Sequence, residues 1–341
     1  MKNNIYIISV CIPVYNVSKY IERCARSLFG QTMTEGVEFL FINDFSQDDS
    51  IELLEKVISD YPLLKNQIRI VHNTQNMGVV ETRKRAIREA KGEYLAWVDS
   101  DDWIEPGMIK AMWGATNNGE TDIVVQNVYL DSYEDGILKE TKEWKVLDCG
   151  TPKTALMKFY AEKHVPRGLP FQMSRRDLVM DAASRVHNVN YTEDTMMLIL
   201  IFANARSCKW LEKAYYHYMI IKGSNSLTHR SFKTKEEWNR QVVNIDIVTN
   251  YLLQKDKKSY RVTSNYIKWA WKNTFSSVFD NTWNFWRTYK ECYRDILIFE
   301  GLENEVSLFY KIKVWLIYNV YPYYWYVEYR KNHSYGRRKD L

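Results

Sequence analysis

The first 115 residues alternate short apolar runs with stretches whose apolar residues recur at helical spacing. The apolar runs predict four strands: Ile5–Ile12, Val37–Ile42, Ile68–His72 and Tyr94–Val98. The stretches between them predict three helices, which begin at Ser18, at Asp48 or Asp49, and at Val79. Apolar strands separated by amphipathic helices are typical of a parallel sheet with helices on both faces. The sequence therefore predicts an α/β fold in which the carboxyl ends of these strands share one edge.

Three carboxylates follow the fourth predicted strand without any polar transition. Asp99, Asp101 and Asp102 come directly after Tyr94–Val98. Like charges crowded at the end of a buried strand repel one another unless a cation or hydrogen-bond donors lie there. Because open α/β sheets bind ligands at this edge, the cluster indicates a binding site. The alternative is that these acids cap the next helix, which is predicted to start near Pro106.

The pattern is less regular between about residues 120 and 230. It predicts a strand, a turn, a helix and a short second strand, which are Ile123–Tyr129, Asp131–Gly136, Thr151–Glu162 and Ala214–Ile221. An acidic pair, Glu193 and Asp194, precedes the apolar helix predicted at Met196–Ala203. Thr192 suits an N-cap, and the helix macrodipole favours negative charge at this end, so a structural role for the pair stays open. Two adjacent carboxylates are nevertheless more than a cap requires.

Composition and motifs argue against several other classes of protein. Hydrophobic residues make up 46% of the chain and charged residues 26%, as in ordinary globular proteins. The net charge of +5 is modest, and no basic stripe suited to nucleic acid precedes the C-terminus. The sequence contains no run of about 20 uncharged apolar residues, so it does not predict a membrane-spanning helix. Five scattered cysteines argue against a disulfide framework or a zinc site and for a reducing compartment. The sequence has neither Gly-x-Gly-x-x-Gly in its first turn nor Gly-x-x-x-x-Gly-Lys anywhere, so the predicted ligand is not held by a glycine-rich loop.

The chain changes character from about residue 233 onward. Tryptophans recur in long helical patterns with almost no glycines, and the end from Arg330 to Lys339 is basic. Aromatic and basic residues together suit a membrane interface. The same aromatics equally suit a helical appendage packed on the main domain or on a second copy of the chain, as in a homodimer. Both interpretations stay open.

Four segments together resemble family 2 glycosyltransferases, which are inverting enzymes of the GT-A fold, here of the type that builds bacterial polysaccharides and other glycans. The segments are Ser9–Asn16, Phe41–Asp48, Asn76–Arg83 and Val98–Trp103. Each is weak alone, but the four occur in the family's order and strand context, and the resemblance covers roughly residues 7–230. It implies a GT-A domain over residues 1–232, with a nucleotide-binding half to about residue 115 and an acceptor-side half over 116–232. A helical, aromatic-rich region with a basic tail follows over residues 233–341.

The resemblance assigns five residues to the nucleotide. Asp44 matches the acid that pairs with the base, and Pro13 and Tyr15 lie where the main chain and an aromatic ring hold the base. Arg83 matches an arginine that lies close to the nucleotide. Asp99 matches the first acid of the family's Asp-x-Asp element, near the ribose.

The resemblance also implies a metal, a base and a closing loop. With Asp99, Asp101 completes the Asp-x-Asp element and matches the ligand of a Mg²⁺ or Mn²⁺ ion that bridges the diphosphate. Asp194 matches the usual general base, with Glu193 as its neighbour or substitute. The loop that contains Lys222 and Ser224 looks like the one that closes over the diphosphate.

Three positions depart from the family pattern. Phe45 stands where glycine is commonest, Lys84 where asparagine often follows the arginine, and Ala86 where glycine is frequent. None of the three replaces one of the acids. The departures therefore bear on how the donor is held more than on the activity.

Elementary chemistry agrees with these roles. A nucleotide diphosphate leaving group concentrates negative charge, which a divalent cation on one or two carboxylates stabilises. An acceptor hydroxyl is a poor nucleophile, so a carboxylate within hydrogen-bond reach must take its proton as attack proceeds. The six histidines and five cysteines show no pairing that would make an enzyme nucleophile.

The predicted activity is transfer of a hexosyl or N-acetylhexosaminyl group from a nucleotide diphosphate donor, a UDP-sugar, to a hydroxyl of a growing, lipid-linked glycan. The predicted place is the cytoplasm, at the inner face of the membrane, through peripheral contact. One alternative is a catalytically silent nucleotide-sugar-binding or assembly protein of a glycan-synthesis complex. A second, a nicotinamide-dependent oxidoreductase, is disfavoured because the first turn lacks the glycines of that fold.

Overall fold

The apolar runs of the N-terminal half are strands of one sheet, as the sequence predicts. A computed structural model describes residues 6–146, 148–158, 168–187, 193–221 and 235–257, with a few single positions beyond. Its strands are β1 Ile8–Val14, β2 Val37–Asn43, β3 Ile68–His72, β4 Tyr94–Trp97, β5 Trp103–Ile104, β6 Ile123–Glu134, β7 Ile137–Trp144, β8 Gln172–Arg175 and β9 Cys208–Ile221. Its α-helices are α1 Ile21–Phe29, α2 Ser50–Ser59, α3 Val79–Glu89, α4 Met108–Ala115, α5 Pro152–Lys158, α6 Arg176–Arg185, α7 Glu193–Asn204 and α8 Lys235–Lys255.

The sheet is parallel in its first half and mixed beyond it. Within the described residues the strand order is β3-β2-β1-β4-β8-β6-β9-β5, with β7 paired to β6. Strands β1 to β4 pair in parallel, so their carboxyl ends lie at one edge. Strand β8 then pairs antiparallel with both β4 and β6, and β9 runs parallel to β6. The short strand β8 therefore joins the parallel half of the sheet to its mixed half.

The core forms where α1 and α2 cover one face of β1 and β2. Helix α1 buries the residues that recur at helical spacing, which are Ile21, Cys24, Ala25, Leu28 and Phe29. The Phe29 ring packs edge-on against Phe39 and Phe41 of β2 and Tyr61, with centroid distances of 5.6, 6.1 and 5.3 Å. Edge-to-face contacts of this kind add to the stabilisation from burial. The packing fixes the sheet edge that carries the polar residues.

Several predictions for residues 120 to 221 are wrong in their bounds. The turn predicted at Asp131–Gly136 is strand as far as Glu134, because β6 pairs with β7 to that point. Strand β9 begins at Cys208 rather than near Ala214, since it pairs along β6 from Ile123. Strands β7 and β8 and helix α6 were not predicted. The helix predicted at Thr151–Glu162 is α5, and its predicted end lies outside the described residues.

The chain divides into two compact units. One comprises Met1–Leu156 with His164–Arg230, and the other comprises Met157–Lys163 with Ser231–Leu341. The described helix of the second unit is α8, which extends over 21 residues. Among the described helices, none combines the length and apolar character needed to cross a membrane.

Candidate active site

Four sequence-predicted residues lie where parallel strands end. Tyr15 follows β1, Asp44 follows β2 and Asp99 lies two residues after β4. Pro13 is the sixth residue of β1, paired with Ile42, and is partly exposed. Because β1, β2 and β4 run in parallel as neighbours, the structure brings these positions to one sheet edge.

The Asp44 carboxylate is buried and holds the turn before α3. Its Oδ1 accepts hydrogen bonds from Asn73 Nδ2 at 2.7 Å and from the Met77 amide at 2.7 Å. Its Oδ2 accepts one bond from the Gly78 amide at 2.9 Å. Asp44 therefore joins the end of β2 to the start of α3. A carboxylate oxygen accepts two hydrogen bonds, so Oδ2 retains capacity for a donor from a ligand.

Arg83 connects the end of β4 to the start of α7. Its Nη1 donates to Glu193 Oε1 at 2.6 Å, and its Nη2 donates to Asp99 Oδ1 at 3.2 Å. Although burial disfavours the charge, the carboxylates of Asp99, Glu193 and Asp194 raise the pKa of Arg83. The guanidinium therefore stays charged between the two acidic segments, which are about a hundred residues apart in the chain. The Asp-x-Asp element and the acidic pair thus belong to one site.

The two acids of the pair have different surroundings. The Glu193 side chain is buried and ion-paired with Arg83, whereas Asp194 is partly exposed. Burial raises the pKa of Glu193 to about 7, against the opposing effect of Arg83. Burial also raises the pKa of Asp194, whose Oδ1 accepts a hydrogen bond from the Thr195 amide at 2.6 Å. Asp194 is therefore the acid that is more accessible to a substrate.

Asp102 anchors the acidic loop, residues 99–102, to β9. Its Oδ2 accepts from the Tyr216 hydroxyl at 2.6 Å, and its Oδ1 accepts from the Met219 amide at 2.7 Å. The Tyr216 oxygen in turn accepts from the Asp99 amide at 3.1 Å. The interpretation of Asp102 as a helix cap is wrong, because α4 begins at Met108 and the carboxylate is used by β9. These bonds give Asp102 a structural role in holding the loop.

Asp101 and Asp99 have the chemistry that a hard divalent cation requires. Both are partly exposed carboxylates, and Mg²⁺ and Mn²⁺ are bound through oxygen ligands. Burial, and to a lesser extent the neighbouring Asp99, raise the pKa of Asp101 to about 6. Among the described residues, no three His, Cys, Asp or Glu side chains form a metal-binding group. The oxygen chemistry of Asp99 and Asp101 fits a cation of this kind.

The sequence of this chain matches the model of a known protein family. The model of glycosyl transferase family 2 matches residues 9–181, which is just over half of the chain. The chain belongs to this family. The predicted membership is thereby confirmed.

The relatives share the family but match only in part. Putative glycosyltransferase EpsH of Bacillus subtilis is 31% identical over 219 residues, covering 62% of this chain and 60% of EpsH. Cholesterol galactosyltransferase of Borreliella burgdorferi is 25% identical over 229 residues, covering 65% of this chain and 62% of that protein. The chain therefore spans less than two thirds of the length of either relative.

A solved structure confirms the fold. The crystal structure of S. aureus TarS 1-349 in complex with UDP-GlcNAc matches with a TM-score of 0.61 at 19% identity. The match covers 86% of this chain and 82% of that chain. The predicted α/β class and GT-A fold are confirmed by this likeness and by the sheet described above.

Two residues that support the acidic loop were missed in the sequence. Arg23 on α1 donates to the Asp101 carbonyl at 3.0 Å and to the Tyr133 hydroxyl at 2.8 Å, so it joins the acidic loop to α1 and β6. Tyr216 supports it from β9. No local signal marks either residue, since each contact joins segments that are distant in the chain. Lys222 and Ser224, predicted to close over the diphosphate, and Thr192 lie outside the described residues.

Proposed function

We propose that this chain is an inverting glycosyltransferase that moves a sugar from a UDP-sugar to a hydroxyl of a growing, lipid-linked glycan. The observation that carries the proposal is the Arg83 bridge, which joins Asp99 at the end of β4 to Glu193 at the start of α7. It unites acids suited to a nucleotide diphosphate with an acid suited to general base catalysis. Family membership supports the reaction class.

The donor end of the site is proposed to lie at the carboxyl ends of β1, β2 and β4. Pro13, Tyr15 and Asp44 would hold the base, and Asp99 and Arg83 would lie near the ribose and phosphates. The name of the TarS complex supports a UDP-linked donor, because that related fold binds UDP-GlcNAc. Asp101 with Asp99 would hold Mg²⁺ or Mn²⁺, which when bound stabilises the negative charge of the leaving diphosphate. The loop with Lys222 and Ser224 would cover the diphosphate.

The acceptor end is proposed to be built around Asp194. As the acceptor oxygen forms its bond to the anomeric carbon, Asp194 takes the hydroxyl proton. The bond from the anomeric carbon to the diphosphate oxygen breaks, and its electron pair leaves with the nucleotide diphosphate. Attack from the opposite face inverts the configuration in this one step, so no covalent intermediate with the enzyme forms. Glu193 is unsuited to the same task here because its Oε1 is bonded to Arg83 at 2.6 Å.

Both sugar classes are supported by a named relative. TarS was solved with UDP-GlcNAc, a donor of an N-acetylhexosamine, and the B. burgdorferi relative is named for galactosyl transfer to cholesterol. That second name also supports an acceptor at a lipid surface. The aromatic and basic composition beyond residue 233 suits contact with such a surface at the cytoplasmic face of the membrane.

The proposal is tested with a panel of UDP-hexoses and UDP-N-acetylhexosamines, incubated with the purified full chain and lipid-linked acceptor extracts. Release of UDP is measured with Mg²⁺, with Mn²⁺ and with excess chelator. The expected result is release from one donor that stops with chelator and returns when metal is restored. Release that is indifferent to chelator would contradict the metal assignment. Binding of donor without any turnover would favour the catalytically silent alternative.

A further inference from the structure

Phe45 has a backbone conformation that its residue type does not favour. It follows Asp44 at the end of β2, and its φ is +64°. The other described non-glycine residues with positive φ are three asparagines and one aspartate, which tolerate this region. A bulky side chain there is a genuine outlier. The Phe45 ring is also 46% exposed, so burial of the ring in the core does not offset the strain.

The strained residue lies beside the proposed base site. The Asp44 amide donates to the Val14 carbonyl at 2.8 Å, and the Asn16 amide donates to Ser46 Oγ at 3.2 Å. Tyr15 and Phe45 are the residues between these two cross-links, one on each segment. The main chain therefore presents two aromatic side chains from neighbouring positions at the sheet edge.

Three residues with exposed apolar side chains lie beside the buried Asp44, either in the chain or across its main-chain hydrogen bonds. Tyr15 is 46% exposed and Met77 is 40% exposed, and the Met77 amide is bonded to Asp44 Oδ1. Three half-exposed apolar residues are thus linked through the main chain to one carboxylate whose Oδ2 can accept a further donor. A planar heterocycle with an N–H at its edge and two apolar faces matches this combination. A nucleobase is such a group.

We propose that the Phe45 ring is a wall of the nucleobase subsite, and that its left-handed backbone is retained because it places the ring against the face of the base. The proposal rests on the proposed function, since it concerns the same donor. Strain stored at one residue is typical of ligand-binding sites, where a productive position outweighs local cost. Aromatic rings gain from stacking on any base, so Phe45 would contribute affinity while Asp44 reads the base edge.

The experiment compares the wild type with Phe45→Gly and Phe45→Tyr by calorimetric titration of the full chain with UDP and Mg²⁺. Glycine adopts positive φ without strain, so Phe45→Gly is expected to unfold at the same or a higher temperature while binding UDP at least about tenfold more weakly. Phe45→Tyr keeps a planar ring and is expected to retain affinity. Inorganic pyrophosphate has no base. Its dissociation constant, measured by competition with UDP, is therefore expected to be similar in wild type and Phe45→Gly.

A matched control removes a positive-φ side chain elsewhere. Asn118 has a φ of +55° in the exposed loop after α4. In the same loop the Thr121 carbonyl accepts a hydrogen bond from the hydroxyl of Tyr94, the first residue of β4, so the loop lies at the amino end of that strand. Asn118→Gly is expected to leave UDP binding unchanged. Equal UDP affinity of Phe45→Gly and wild type would overturn the Phe45 proposal alone. Equal weakening of UDP and pyrophosphate would also overturn it, because the loss would then lie outside the base. A wild-type chain that binds no UDP would overturn the proposed function as well.

Discussion

Replacing Arg83 by methionine removes the charge that pairs with both Asp99 and Glu193. The Arg83 side chain is 7% exposed, and the side chains of its partners Glu193 and Asp99 are 6% and 29% exposed. Methionine fills part of the same volume without the charge. The substitution therefore leaves the buried Glu193 carboxylate beside the acids Asp194 and Asp99 with its main counter-charge removed.

The expected loss is large for a single substitution. Breaking a buried ion pair by removing one partner costs about 3–5 kcal/mol of unfolding free energy, because the remaining charge is buried and uncompensated. The assay is urea unfolding at pH 8, above the Glu193 pKa of about 7. The matched control is Arg26→Met, which removes exposed pairs with Glu22 and Asp60 and is expected to change stability little.

A double-mutant cycle tests the cause. If the loss comes from the stranded Glu193 charge, Arg83→Met made in a Glu193→Gln background costs less than it does in the wild type. The expected difference is about 2 kcal/mol, within the range for residues of one ion-pair network. A loss no larger than that of Arg26→Met, or full additivity with Glu193→Gln, would refute the proposed coupling of the two acidic segments through Arg83.

Three further predictions follow from other contacts. Gly92→Ala is expected to destabilise the fold by roughly 1–3 kcal/mol in thermal unfolding, because a Cβ would lie 2.4 Å from the Ser9 amide nitrogen and 2.6 Å from the Ile8 carbonyl carbon. Gly114→Ala, with nothing within 4 Å, is its control, and equal effects would count against the packing argument. Tyr216→Phe removes the hydroxyl that donates to Asp102, and urea unfolding is expected to show a loss of about 1–3 kcal/mol, while no loss would mean that the acidic loop is held by other contacts. Because burial raises the pKa of Glu193 from its ordinary 4.5 to about 7, the protonated acid favours the fold, and this contribution is fully present below about pH 4.5 and lost as pH rises through 7. The wild type should therefore lose up to about 3 kcal/mol relative to Glu193→Gln between pH 5 and 8, and an unchanged difference in urea unfolding would contradict the burial effect.

The sequence predicts the first half of the fold well because local pattern and tertiary burial agree there. Strands β2 and β3 lie within a residue of their predicted bounds and helix α3 begins at the predicted Val79, since each is a continuous apolar or helical pattern next to a turn signal. Strands β7 and β8 escape prediction for a different reason. Strand β7 is exposed along most of its length and β8 has four residues, so pairing with β6 defines both rather than any apolar run.

The candidate site divides in the same way. The positions of Tyr15, Asp44 and Asp99 at strand ends follow from the sequence, because parallel strands share one edge. The bond from Arg83 to Glu193 does not follow, since it joins residues 110 positions apart through the packing of α3 and α7. In the sequence, only the family's preference for glycine at this position hints at the left-handed conformation of Phe45. The structure shows this conformation directly, with a φ of +64°.

The role of Asp194 as general base is tested by the turnover of Asp194→Asn with the cognate donor and acceptor. We expect kcat to fall by at least about a hundredfold while the Kd for UDP stays within about twofold, because Asp194 acts on the acceptor proton. Asp177→Asn is the matched control, since this exposed aspartate in the first turn of α6 also accepts from the next amide, at 2.9 Å. It is expected to keep wild-type turnover. Full transfer activity in Asp194→Asn would contradict the assignment of Asp194 as the general base.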